Sequence, residues 1–148
     1  GESKTLEFKQ TFSKDIKTNI KEKEKSIRES SLKNIVAFIN SEGGTLLIGI
    51  CDNGEVFGIE NDNYQNDDSY LLKFKDNIKD FIGKDSYSFL DWKIVNVQNK
   101  KVLRVDCKKS TSEPFFLNSI DFYVRTNPSA DKLEGIKLAK YLKERFNQ

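Results

Sequence analysis

Gly43-Gly44-Thr45-Leu46-Leu47-Ile48-Gly49-Ile50-Cys51-Asp52-Asn53-Gly54 is the stretch on which the fold turns. Residues 45–51 are apolar at odd and even positions alike, so both faces of an extended segment are buried, as in a central strand. Asn53-Gly54 is a type I′ hairpin signal, and it returns the chain into Glu55-Val56-Phe57-Gly58-Ile59. Upstream, Leu32, Ile35, Val36 and Ile39 recur at helical spacing. They predict a helix over 27–40 that Gly43-Gly44 terminates.

Outward from this unit the pattern stays mixed. Thr5-Leu6-Glu7-Phe8-Lys9 alternates and predicts a short strand, with Leu6 and Phe8 facing one way and Glu7 and Lys9 the other. A polar, Lys-rich stretch runs to about residue 25. Leu71, Phe74, Ile78, Phe81 and Ile82 mark a helix over 69–82, stopped by Gly83. A second hairpin follows, with strands near 87–97 and 102–108 and a turn at Gln98-Asn99-Lys100. Phe122-Tyr123-Val124-Arg125 predicts another strand. A last helix spans 133–146, with Asp131 and Glu134 at its cap and Leu138, Tyr141 and Leu142 on its packing face. The expectation is one α+β domain over residues 1–148, with a mostly antiparallel sheet packed with about three helices.

Composition narrows the chemistry. The 148 residues contain no histidine, which excludes Ser-His-Asp and Cys-His catalysis and the usual His-ligated zinc sites. Hydrolytic chemistry then falls to carboxylates, lysines and a bound metal ion. Nothing approaches the ~18 apolar residues of a membrane helix. Cys51 and Cys107 lie in apolar runs without metal-site spacing and read as reduced core residues of a cytoplasmic protein. Methionine is absent even at position 1, so Gly1 reads as a scar and the chain as a domain excised from a longer protein. Gly43-Gly44 lacks a following Gly-Lys-Ser/Thr, which disfavours a nucleotide hydrolase.

The 25 basic and 23 acidic residues nearly cancel, but they are segregated. Residues 52–68 carry Asp52, Glu55, Glu60, Asp62, Asp67 and Asp68 and no base. Lys9, Lys14, Lys17, Lys21, Lys23, Lys25, Arg28 and Lys33 dominate the N-terminal part. Lys100, Lys101, Arg104, Lys108 and Lys109 face only Asp106. In 102–108, Leu103, Val105 and Cys107 point one way and Arg104, Asp106 and Lys108 the other. That charged row is either a phosphate-binding surface or an ordinary wet sheet face.

Several motifs occur in one order: Glu2-Ser3 with Leu6-Glu7-Phe8-Lys9; Ala37-Phe38-Ile39-Asn40 leading to Gly43-Gly44; Gly49-Ile50-Cys51-Asp52-Asn53-Gly54; and Gly58-Ile59. Glu113-Pro114-Phe115-Phe116, Phe122-Tyr123-Val124-Arg125-Thr126 and Asn127-Pro128-Ser129 complete the series. Together they resemble the Schlafen AlbA-like domains, over residues 2–129. In RNA-cleaving members of that family, three carboxylates hold a divalent metal for cutting tRNA and related RNA. The resemblance implies Glu2, Glu7 and Asp52 as ligands of magnesium or manganese. Lys9, in the acid-x-lysine spacing of many metal-dependent nucleases, is the matching catalytic lysine. Lys100, Lys101, Arg104, Lys108, Lys109 and Arg125 are the expected nucleic-acid contacts.

The resemblance also implies a core of two related lobes, so a single lobe is expected to homodimerise or to belong to a longer chain. Phe115, Phe116, Phe122 and Tyr123 are candidates for that contact, or else core. Two functions follow. One is a metal-dependent endoribonuclease acting on tRNA-like RNA. The other is a non-catalytic DNA- or RNA-binding module of a transcription regulator or anti-phage protein. A dimerising interaction domain is a third class.

Overall fold

The computed structural model describes residues 1–146. Four strands form one sheet in the order β1-β2-β4-β3: β1 (Leu6–Lys9), β2 (Gly44–Ile48), β3 (Leu90–Val97) and β4 (Lys100–Cys107). β1 lies parallel to β2, with Glu7 beside Leu46, and the two other pairings are antiparallel. A separate hairpin joins β5 (Phe122–Arg125) to β6 (Ala130–Leu133). Three helices complete the fold: α1 (Glu24–Asn40), α2 (Asp67–Phe81) and α3 (Gly135–Phe146). The α+β class and the mostly antiparallel sheet stand as expected.

Alternation along the strands divides the sheet into two faces. Leu46, Ile48, Leu103 and Val105 are buried with Leu32, Ile35, Val36 and Ile39 of α1 and Phe74 and Ile78 of α2 in the main core. On the other face Phe8, Ile50 and Val102 form a small cluster with Leu6, Leu47, Val95 and Val97. Parity puts Glu7 and Lys9 on the helix-covered face, at the edge where β1 leaves the sheet.

Several expectations shift. β2 ends at Ile48 because Gly49 takes φ +104, and a side chain there would crowd the Lys101 carbonyl and Ile59. Residues 55–59 are not a strand; they form an Ile50–Val56 bridge, and the Phe57 and Gly58 amides donate to the Gly49 carbonyl. The Asn53-Gly54 turn is not type I′, since Gly54 but not Asn53 has positive φ. The Gly54 amide donates to the Cys51 carbonyl and the Cys51 amide to the Glu55 carbonyl, both at 2.8 Å. This is a three-residue loop with Asp52 and Asn53 at its corners. The type I′ geometry occurs instead at Gln98-Asn99, where both φ values are positive.

α1 begins at Glu24, and α2 begins at Asp67 because the Asn66 side chain caps it, accepting from the Ser69 amide at 2.8 Å. β6 escapes the sequence, since Ala130-Asp131-Lys132-Leu133 is short, polar and exposed at two positions. Asp131 therefore does not cap α3; its carboxylate accepts from the Thr126 and Ser129 hydroxyls. Phe115 and Phe122 are buried core, while Phe116 and Tyr123 are half-buried. Both cysteines are free, Cys107 buried and Cys51 half-buried. Among the described residues, no helix is long and apolar enough to cross a membrane.

Asn40, fully buried at the end of α1, locks the late segment in place. Its amide donates to the Phe115 and Tyr123 carbonyls, and its side-chain oxygen accepts from the Phe115 amide. Its own carbonyl, orphaned at the helix end, accepts from the Tyr141 hydroxyl at 2.7 Å and from Arg145. Through these bonds α1, β5 and α3 hold one another at fixed positions around the β1 edge.

Candidate functional site

Glu7 is buried on β1, and Glu2 folds back over it from the preceding turn. Glu2 Oε2 accepts from the Phe8 amide at 2.9 Å, which holds it beside the strand. The two carboxyl groups share a hydrogen bond. Glu7 Oε1 accepts from Arg125 Nη1 at 2.8 Å, and Lys9 Nζ stands 3.5 Å from Glu7 Oε2. Glu2, Glu7, Lys9, Lys33, Asn34, Pro128, Ser129 and Ala130 line one cleft of about 250 Å³.

Their environments push the two acids apart. Burial and the hydrogen bond to Glu2 raise the Glu7 pKa, against the pull of Arg125 and Lys9. Partial burial pushes Glu2 up as well. The hydrogen bond from Glu7, the Phe8 amide and the charges of Lys9 and Arg125 outweigh it, so its pKa falls below the ordinary value. A carboxylate pair split in this way is a feature of acid–base and cation-binding sites.

Asp52 stands elsewhere. It is an exposed corner of the turn after β2 and does not line the cleft. No group of three or more metal-ligating side chains occurs among the described residues. The donors present are the Glu2–Glu7 pair. Two carboxylates fit magnesium, which is commonly held by one or two of them and completed by water and phosphate.

The expected nucleic-acid residues disperse. Arg125 is a correction: it is 3% exposed and spends every donor internally, on the Lys4, Ser3 and Leu6 carbonyls, Glu7 and Asn34. It is stacked 4.8 Å above the Phe38 ring and cannot reach a phosphate. Lys101 pairs with Asp67 at 2.9 Å and its amide donates to Glu60, because the acidic loop folds onto the basic hairpin. Hydrogen bonds to Tyr64 and Asp67 raise the Lys101 pKa. Lys100 donates to the Val56 carbonyl, Arg104 pairs with Asp106 and Lys109 with Glu42. Lys108 is exposed at the end of β4.

Lys33, Asn34 and Ala130 join the cleft without having been singled out in the sequence. Lys33 carried a signal, as a member of the basic N-terminal run. Asn34 and Ala130 carried none, since the cleft depends on β6 coming back beside α1.

The fold and the cleft define a small α+β domain that places an acid pair among lysines at a sheet edge. The chain belongs to the Schlafen AlbA_2 family, whose sequence model matches residues 2–134. Its fold is similar to that of the DIP2311 protein from Corynebacterium diphtheriae, with TM-score 0.66 and 19% identity, over 97% of this chain and 24% of that one. It is also similar to the N-terminal domain of a RecG-related protein, named for an ATP-dependent DNA helicase, from Nitrosomonas europaea. There the TM-score is 0.51 with 15% identity, over 89% of this chain and 82% of that one. No curated protein matches the chain in sequence.

Proposed function

We propose that this domain binds nucleic acid in the cytoplasm and that the Glu2–Glu7 cleft is a divalent-metal-dependent endoribonuclease site for tRNA-like RNA. The observation that carries this reading is the hydrogen-bonded acid pair, with its opposed pKa shifts, set between Lys9 and Lys33. Glu2 and Glu7 would together hold magnesium or manganese. The ion, when bound, lowers the pKa of its water and stabilises charge on the phosphoryl group. Lys9 and Lys33 draw in the substrate phosphate, and Arg125 keeps Glu7 and Asn34 from turning away. The resemblance implies Asp52 as a third carboxylate, but it stands on the exposed turn after β2, outside the cleft.

The test is incubation with total tRNA in manganese, magnesium or EDTA. Cleavage should need the metal and be abolished in Glu2→Gln and Glu7→Gln, with the fold kept. Undiminished cleavage in Glu7→Gln or in EDTA overturns the reading, and loss in Asp52→Ala brings that turn into the site. A homodimer would supply the second lobe; light scattering of a cleaving, strictly monomeric protein would rule it out.

One observation favours the second reading, a non-catalytic DNA- or RNA-binding module. Glu7 is held by Arg125 and Glu2 by the Phe8 amide, so both acids also brace the N-terminal strand. On that reading Glu7→Gln lowers stability and leaves nucleic-acid affinity unchanged.

A further inference from the structure

The cleft that holds the acid pair does not end at Lys9. A second depression of about 240 Å³ shares Lys9 with it and continues past Lys14, Ile16 and Lys17. A third, of about 200 Å³, shares Lys33 with the first and Ser30 with the second, and takes in Tyr123. The three meet around one stripe of α1, where Ser26, Ile27, Ser30, Lys33 and Asn34 recur at helical spacing. They form one groove running across the middle of that helix.

Its charge differs from that of the β3–β4 hairpin. Lys101, Arg104 and Lys109 each have a carboxylate partner and Lys100 donates to the Val56 carbonyl, which leaves Lys108; in the groove Lys9 pairs with Glu7, whereas Lys14, Lys17 and Lys33 have no carboxylate within ion-pair distance among the described residues. Two acids beyond the Glu2–Glu7 pair lie in the groove wall: half-buried Glu29, beside Tyr123, and Asp15, which is 8% exposed and accepts from the Thr18 and Ile20 amides and the Thr18 hydroxyl. Unpaired cations on a concave surface concentrate a polyanion. Between them stand Ile16, 39% exposed, and the half-buried ring of Tyr123. Apolar and aromatic side chains inside a basic groove suit unstacked bases, which a single strand offers and a duplex does not.

We propose that a single-stranded nucleic-acid segment lies in this groove, its phosphates on Lys9, Lys14, Lys17 and Lys33 and its bases against Ile16 and Tyr123, so that it crosses the Glu2–Glu7 pair. The proposal rests on the nucleic-acid reading above and replaces the β3–β4 hairpin as the binding path.

The test is fluorescence anisotropy with a labelled single-stranded RNA, the same sequence as DNA, and its duplex, over a salt series. Reversal of Lys14, Lys17 and Lys33 to Glu should flatten the slope of log affinity against log salt by about 2, near 0.7 per phosphate contact. The milder triple substitution to Gln, which adds no charge to fold around, should flatten it in the same sense. Tyr123→Ala should weaken binding with the slope unchanged. Lys101→Glu with Lys108→Glu should leave the slope as in the wild type. If the wild type binds no oligonucleotide, the nucleic-acid reading itself fails. If the wild type binds and the groove variants keep its slope while the hairpin variant loses it, the groove is wrong and that reading survives. Tighter binding of the duplex than of either single strand overturns the single-strand assignment.

Discussion

Arg125 ends an edge hairpin in a sequence where nothing local says which way it points. Strand alternation fixes its parity but not what lies opposite, and an arginine beside aromatics reads equally well as a phosphate contact. Its surroundings come from the other end of the chain: the carbonyls of Ser3, Lys4 and Leu6, and Glu7. Removing one partner of a buried ion pair leaves an uncompensated charge, at a cost of about 3–5 kcal/mol. Arg125→Ala should therefore lose about that much in chemical denaturation, and Arg125→Lys most of it, because an ammonium group cannot reproduce the fork of bonds. The acid pair gives a second outcome at this scale. Glu7, with its raised pKa, must be ionised to hold a cation, so protons and the metal compete for it. Manganese affinity measured by calorimetry should weaken as pH falls through the Glu7 pKa, and Glu7→Gln should remove both the affinity and its pH dependence. An affinity flat across that range would separate the metal from this pair.

At the scale of elements, the segment 11–14 shows how a loop is held without regular structure. Asp62 is 1% exposed and accepts from the amides of Phe12, Ser13 and Lys14 and from the Tyr70 hydroxyl. A carboxylate satisfied by several donors anchors the loop that carries Lys14. Asp62→Ala should cost at least about 2 kcal/mol, and hydrogen exchange should show residues 11–14 opening first. The sequence presents Asp62 only as one acid in a polar run. Elements with strong periodicity were legible: α1, α2 and the β3–β4 hairpin follow from Leu32, Ile35, Phe74, Leu103 and Val105. β6 was not, because its residues face solvent and its pairing with β5 is a tertiary choice. The turn at Asp52 was misread because Asn-Gly permits two loop types, and Gly49 and Gly54 select the longer one.

At the scale of the whole molecule, segregated charge proved legible but its pairing did not. The acidic run 52–68 and the basic hairpin are distant in sequence and meet in space, where Lys101 finds Asp67 and Glu60. The same run also reaches the N-terminal part, but there Asp62 takes backbone amides of residues 12–14 and leaves Lys14, Lys17 and Lys33 without an ion pair among the described residues. Net charge cannot distinguish these cases, since each leaves the total near zero. The acid pair was legible through Glu2 and Glu7 on one short segment, whereas the cleft around it needed α1, β5 and β6 to converge.

The bonds of Arg125 to the first residues span 118 to 122 positions of chain. Contacts of that separation carry the full entropy of closing a long loop, and they form late. A chain emerging from the ribosome presents Glu2 and Glu7 more than a hundred residues before the arginine that fixes them. The cleft is thus assembled only after residue 125 has been made. If these bonds are absent from the folding transition state, Arg125→Lys should quicken unfolding in stopped-flow measurements and leave the refolding rate nearly unchanged. A variant that instead refolds slowly would place the joining of the two ends at the start of folding.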